Sequence, residues 1–168
     1  MFRRVLTNSP GQLFLHSMPG RRESIEEFQH EASVQAVSRV VCLTDDQEIA
    51  RKAPEYAAAI ADGTFTSPRD VFPIPNLGVP DDRKAFVELA RETAARIRAG
   101  GRVLVHCALG IGRTGTFACC VLMELGYAEQ DARAAIRSAG GYPETTEQDD
   151  LITFVARRIG STISSEAR

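Results

Sequence analysis

Cys107 and Arg113 stand six positions apart in the stretch Val103-Leu-Val-His-Cys-Ala-Leu-Gly-Ile-Gly-Arg-Thr-Gly115, and both residue types act on oxyanions. An apolar run leads into a short loop holding Gly110 and Gly112, and a helix is expected from about Thr114. A strand–loop–helix turn of this kind points successive loop N–H groups and a helix N-terminus at one spot, where an anion is stabilised. The same field favours the thiolate, the form of cysteine that attacks. Arg113 would close the cradle from the far side, because its planar fork of donors matches two phosphate oxygens and a lysine cannot copy that geometry. The stretch therefore reads as a phosphate cradle with a nucleophile built in. Cys107 is the nucleophile, and residues Ala108, Leu109, Gly110, Ile111, Gly112 and Arg113 bind the phosphate. A buried cysteine after a strand is often only a small core residue. What separates this one from chance is the joint pattern of strand, His-Cys, two glycines, arginine, hydroxyl residue and helix.

The elements that must position this loop can be read along the chain. Gln12 to His16 forms a short strand that ends in a Pro19-Gly20 turn, and Ser24 with Glu27 makes a capping box for a helix to about Ala36. Val37 to Leu43 is a β-branched run suited to a buried parallel strand, and Thr44-Asp45-Asp46 caps a helix that holds Glu48 and Ile49. Pro54 divides this helix from the next, which stops at Gly63. Asp70 to Ile74 is a strand whose proline suits an edge, and residues 76–80 form a loop. Apolar residues recur at helical spacing from Asp82 to Ala99, and the Cys107 strand follows at once. Helices then cover Thr114 to Leu125, Glu129 to Ala139 and Thr145 to Ile159, and the polar tail 161–168 is expected to fray. Strands alternating with helices give an α/β layer fold, a mostly parallel central sheet flanked by helices, with the loop at the C-terminal end of a strand.

At 168 residues the chain suits one domain, taken as 1–160. A formal net charge of −2 and the lack of a Lys/Arg cluster argue against nucleic-acid and membrane partners and favour a small, discrete substrate. The N-terminus has no apolar leader core, so a soluble cytoplasmic protein is expected. The four cysteines, Cys42, Cys107, Cys119 and Cys120, have neither disulfide-framework nor metal-ligand spacing, and there are three histidines. Reduced thiols, no metal and no cofactor are expected.

The segment His106 to Thr114 resembles the His-Cys-x5-Arg-Ser/Thr signature of the cysteine-dependent protein tyrosine and dual-specificity phosphatases. The resemblance implies a phosphomonoester hydrolase acting through a phosphocysteine, with a phosphoprotein as substrate. His106 would orient the loop, and the Thr114 hydroxyl would assist the thiolate as it leaves. Pro73-Ile-Pro-Asn-Leu-Gly-Val-Pro-Asp-Asp82 is similar to the Pro-Ile-Pro-Asp-Gly-Gly-x-Pro loop of the cyclin-dependent kinase-associated type and its archaeal and bacterial relatives. The family's proton donor falls here on Asn76, and an amide cannot donate a proton to a leaving group. Asp81 and Asp82 are the candidates from the same loop, with Asp81 ahead because Asp82 is better placed to cap the following helix. Glu144 to Gln148 is similar to the family's Gln-Thr-x-x-Gln segment, with Glu144 in place of the first Gln. Gln148 would position the hydrolytic water, or else complete a capping box with Thr145. Family members that act on highly phosphorylated inositides tend to carry extra basic residues in this loop, so the uncharged Ala108, Leu109 and Ile111 disfavour such substrates, and the lack of an aromatic insert of the kind that builds a deep phosphotyrosine slot leaves a shallow dual-specificity pocket as the expectation. Cys42, on a neighbouring strand, is a candidate redox partner for Cys107 or a packed core residue. Two rivals remain at this level. With Asn76 the protein could capture phosphoresidues and turn them over poorly. A similar loop could also serve arsenate reduction or sulfur transfer, though no cysteine pair is obviously placed to resolve such an intermediate.

Overall fold

The computed structural model describes the backbone of residues 1–166 and the side chains of residues 1–160. Five strands form one sheet in the order β1-β2-β5-β3-β4: β1 Arg3–Val5, β2 Gln12–His16, β3 Arg39–Cys42, β4 Arg69–Val71 and β5 Arg102–His106. All neighbours are parallel except β1, which pairs antiparallel with β2. The β5 strand is central, paired in parallel on both sides, Leu15 to Val105 and Val41 to Val105, and both of its faces are covered by helix residues. A run such as Val103-Leu-Val is apolar throughout for that reason.

Strand alternation sorts the core into two layers. Leu13, Leu15, Val41, Val103 and Val105 face one side with residues of α4 (Arg83–Arg98), α5 (Gly112–Glu124), α6 (Glu129–Ser138) and α7 (Thr146–Glu166). Phe14, Val40 and Leu104 face the other, against Phe28 and Ala32 of α1 (Ile25–Val34). Cys42 lies on that second side too, with Ile49 of α2 (Asp46–Lys52) and Tyr56 of α3 (Pro54–Ala61). The α5 helix is buried along nearly its whole length, so the loop that feeds it is fixed from both ends.

Side chains cap three of the helix starts. Ser24 and Glu27 form the reciprocal capping box at α1, Asp45 accepts from the Glu48 amide at the start of α2, and Asp82 accepts from the Ala85 amide at the start of α4. Each cap satisfies an N–H that the helix itself leaves open.

Several elements differ from the sequence expectation. The β3 strand starts at Arg39 rather than Val37, because the Val37 and Ser38 amides are spent on the Ala32 carbonyl and on Arg102. The β4 strand ends at Val71, ahead of Pro73, whose nitrogen cannot extend the ladder. The N-terminal Arg3–Val5, given no element in the sequence reading, forms the edge strand β1. The α7 helix continues through Glu166, and residues 167 and 168, the end of the tail expected to fray, lie outside the described residues.

Candidate active site

The loop between β5 and α5 closes around the Cys107 sulfur. The Gly110 amide donates to Cys107 Sγ at 3.3 Å, while the N–H groups of Ala108, Leu109 and Ile111 have no partner among the described residues. The α5 helix begins at Gly112 with Ile111 at its cap and no side-chain cap bond, so its first turn also presents open donors. One glycine is required by space. Gly110 has φ +74° and sits against the His16 carbonyl, so a side chain there would be both strained and blocked. A Cβ at Gly112 would meet only the end of the Glu144 side chain, which lies against that glycine. The back of the loop is held by arginines: Arg3 donates to the Gly110 carbonyl and, at 2.8 Å, to that of Gly140, and Arg21 donates to the Ala108 carbonyl at 3.0 Å. The β1 strand, missed in the sequence, is therefore what delivers Arg3 to the loop.

Arg113 is 3% exposed, and its fork is clamped from behind. Nη1 donates to Glu48 Oε2 at 2.8 Å and to the Ile74 carbonyl at 2.9 Å, and Nη2 donates to Glu48 Oε1 at 2.9 Å and to Asn76 Oδ1 at 3.2 Å. That leaves Nε–H for the cleft, and the Asn76 contact is one that a phosphate oxygen can replace. Burial opposes the Arg113 charge, but Glu48 and the Cys107 sulfur outweigh it and hold the guanidinium protonated. Glu48 is drawn down to about 2, first by its hydrogen bond with Arg113 and then by Lys52, against the pull of burial. Lys52 Nζ donates to Glu48 Oε1 at 2.6 Å. Sequence reasoning placed Glu48 only as a helix residue. Its one signal was a carboxylate beside Ile49 on a helix whose cap turns that face inward.

Thr114 lies fully buried in the first turn of α5, and its hydroxyl has no hydrogen-bond partner among the described residues. His106 Nδ1 lies 3.3 Å from the Cys107 carbonyl and Nε2 lies 3.3 Å from the Tyr56 hydroxyl, which fixes the imidazole under the loop. Cys42 pairs in register with His106, and its thiol lies 3.4 Å from Thr44 Oγ1. Burial pushes that thiol up, but His106 and Thr44 more than offset it and bring it to about 7.

The cleft over Cys107 is lined by Arg21, Lys52, Asn76, Leu77, Cys107, Ala108, Leu109, Arg113 and Glu144. Asp81 and Asp82 are not among these residues. Asp81 is exposed on the loop, and Asp82 is occupied as the α4 cap. Leu77, at φ +59°, and the Gly78-to-Pro75 turn bond hold the loop so that Asn76 faces Arg113. Gln148 is buried and its amide is spent between loops: Oε1 accepts from the Glu144 amide at 2.9 Å and Nε2 donates to the Gly78 carbonyl at 3.1 Å. Its own backbone amide donates to Thr145 Oγ1, the cap half of the expected box. Among the described residues, no three His, Cys, Asp or Glu side chains are grouped to hold a metal ion.

Fold and site together define a class, the α/β proteins that hold a phosphate group against a cysteine at the carboxyl edge of a parallel sheet. Residues 3–167 match the model of the Swiss Army Knife protein DSP-PTPase phosphatase domain, PTP-SAK, and the chain belongs to that family. Among solved structures, it is similar to a kinase associated phosphatase carrying a cysteine-to-serine substitution at its catalytic site, with 16% identity, TM-score 0.79, and 95% of this chain and 96% of that one covered. It is also similar to Tk-PTP in its active form, with 25% identity, TM-score 0.69, and 93% and 97% covered. Among curated proteins, it is 39% identical over 59 residues to mouse tyrosine-protein phosphatase non-receptor type 2, covering 31% of this chain. It is 50% identical over 38 residues to rat receptor-type tyrosine-protein phosphatase V, covering 23% of this chain. The chain spans 14% and 2% of the length of those two relatives.

Proposed function

We propose that the protein is a metal-independent phosphomonoester hydrolase of the protein tyrosine and dual-specificity type, acting on phosphotyrosine and on phosphoserine or phosphothreonine in proteins. Cys107 Sγ attacks phosphorus in line with the leaving oxygen. The open loop N–H groups and the cleft edge of Arg113 hold the three equatorial oxygens, and a water then hydrolyses the phosphocysteine. The Thr114 hydroxyl, otherwise unpartnered, hydrogen-bonds the departing thiolate. The observation that carries the reading is the Cys107 sulfur held by the Gly110 amide beside the open amides of Ala108, Leu109 and Ile111, next to an arginine already clamped into position. Four free cysteines, all buried, support a reducing, cytoplasmic location as part of the same reading. No helix among the described residues is long and apolar enough to cross a membrane.

Hydrolysis of p-nitrophenyl phosphate should survive EDTA and be blocked by vanadate, which copies the five-coordinate phosphorus. Full activity in Cys107→Ser, or loss of activity with EDTA, would overturn the proposal. The contact of Asn76 with Arg113 supports a second reading, a phosphoresidue-binding protein with slow turnover. Tight phosphopeptide binding to the wild type without release of phosphate would select it.

A further inference from the structure

A phosphatase cleft needs a proton for the leaving oxygen, and the residue at the expected donor place, Asn76, has no acidic proton to give and spends its side-chain oxygen on Arg113. Of the nine residues that line the cleft over Cys107, one is a carboxylic acid, Glu144. Its carboxylate rests against Gly112, the residue that opens α5 and bounds the anion loop. Among the described residues it makes no ion pair and no side-chain hydrogen bond, in contrast with Glu48, whose carboxylate is fully engaged by Arg113 and Lys52. The backbone of Glu144 is nonetheless fixed, since its amide donates to Gln148 and Gln148 in turn grips the Gly78 carbonyl. An acid placed in the cleft, held by its backbone and free at its tip is what a proton donor requires.

We propose that Glu144 is the general acid of this site, a reading that rests on the phosphatase function above and moves the role from Asp81. In the first step the S–P bond forms, the P–O bond to the leaving group breaks, and the Glu144 proton passes to the leaving oxygen, so an alcohol or phenol departs. In the second step a water oxygen attacks phosphorus, its proton returns to the Glu144 carboxylate, the S–P bond breaks, and inorganic phosphate and the Cys107 thiolate are released.

Leaving-group dependence tests the proposal. Glu144→Gln should slow phenyl phosphate by about 10²-fold or more, the usual share of general acid catalysis, while an ester whose leaving group is already a stable anion should lose less than about 10-fold. The basic limb of the pH profile of kcat/KM should disappear in the variant, and Glu144→Asp should restore part of the phenyl phosphate rate. Equal losses on the two esters, or no loss on either, would overturn the assignment. The selective pattern in Asp81→Asn instead of Glu144→Gln would also overturn it and return the role to the 76–82 loop. Trapping the phosphocysteine separates the two levels of the argument. Glu144→Gln should still form it with the activated ester, whereas a wild-type protein that forms none refutes the phosphatase reading and the acid together.

Discussion

Arg113 and Arg133 are built from the same parts and do different work. Each sits on a helix and is gripped by carboxylate and carbonyl oxygens from neighbouring elements. Arg133 on α6 donates to Glu129 at 2.9 Å, to Asp149 at 2.6 Å and to Thr153 at 3.2 Å, which staples α6 to α7. Its side chain is 23% exposed and Asp149 is 53% exposed. The Arg113–Glu48 pair is 3% and 6% exposed, and its clamp leaves one edge of the guanidinium turned toward the Cys107 sulfur. A surface cluster gains little because water already solvates each ion. A buried pair contributes little to stability beyond an apolar substitute, yet it is costly to break once present. The difference teaches that Glu48 is there to aim a charge, since a fold seeking stability alone could have filled that space with apolar atoms.

The largest break in the comparison is Arg113→Lys. A point charge cannot reproduce the fork, so hydrolysis of p-nitrophenyl phosphate should fall by about 10²–10³-fold, the scale for losing a transition-state donor. A retained rate would mean that Arg113 serves the fold only. Next is Glu48→Gln, which leaves the guanidinium buried with a weaker partner. It should lower stability by about 3 kcal/mol in urea titration and, because the fork is no longer aimed, slow turnover as well. The matching change on the surface, Arg133→Ala, should cost no more than about 1 kcal/mol and leave kcat/KM unchanged. Comparable losses from Glu48→Gln and Arg133→Ala would erase the distinction drawn here.

The two arginines also mark where sequence reasoning reaches and where it stops. The His106-to-Thr114 loop was legible because its parts are contiguous and each has a local reason: glycines for close approach, a cysteine at the strand end, and a helix start. The caps at Ser24, Asp45 and Asp82 were legible for the same reason, because a cap acts within three residues. Glu48 meets Arg113 across 65 positions, and a lone carboxylate on a helix reads as a solvent-facing residue until the tertiary structure turns it inward. The β1 strand was hidden by its length of three residues, too short for an alternation to register. Its antiparallel pairing with β2 and the reach of Arg3 to the loop follow from tertiary contact alone. Glu144 reads in the sequence as a departure from a family segment, and Asp81 stands ahead of Asp82 because both share the loop of Asn76 and Asp82 is better placed to cap α4. In space the loop carries Asp81 out of the cleft, while the turn before α7 brings Glu144 in.

A finer test of the clamp is its pH dependence. Glu48 is held at about 2 by Arg113 and Lys52, below the ordinary carboxylate range near 4.5. Between those values the unfolded chain binds a proton that the folded one refuses, so the pair's contribution is complete above about pH 4.5 and is lost as the pH falls toward 2. The stability gap between wild type and Glu48→Gln should therefore be constant from pH 7 to about 5 and narrow below. Taking the difference removes the effect of His16, which burial holds down at about 4 and which weakens both proteins alike on acidification. A gap that widens toward acid would show that Glu48 is not ionised in the fold.

The smallest effect is expected at Cys42. Its thiol is drawn down to about 7 by His106 and Thr44 against burial, and it pairs with the residue next to Cys107. The layers separate them, however. Cys42 packs with Ile49 and Tyr56 beneath the sheet, and Cys107 packs with Phe117 and Ile74 in the layer of α5. A disulfide requires that the two Cβ vectors converge as well as that the backbones approach, and side chains on opposite faces do not converge. After mild peroxide treatment and then dithiothreitol, wild type and Cys42→Ala should recover the same fraction of activity. Markedly poorer recovery in Cys42→Ala would mean that the loop opens far enough for Cys107 to reach across the sheet edge. The rigid cradle inferred from Arg3, Arg21 and Arg113 would then have to be a mobile one.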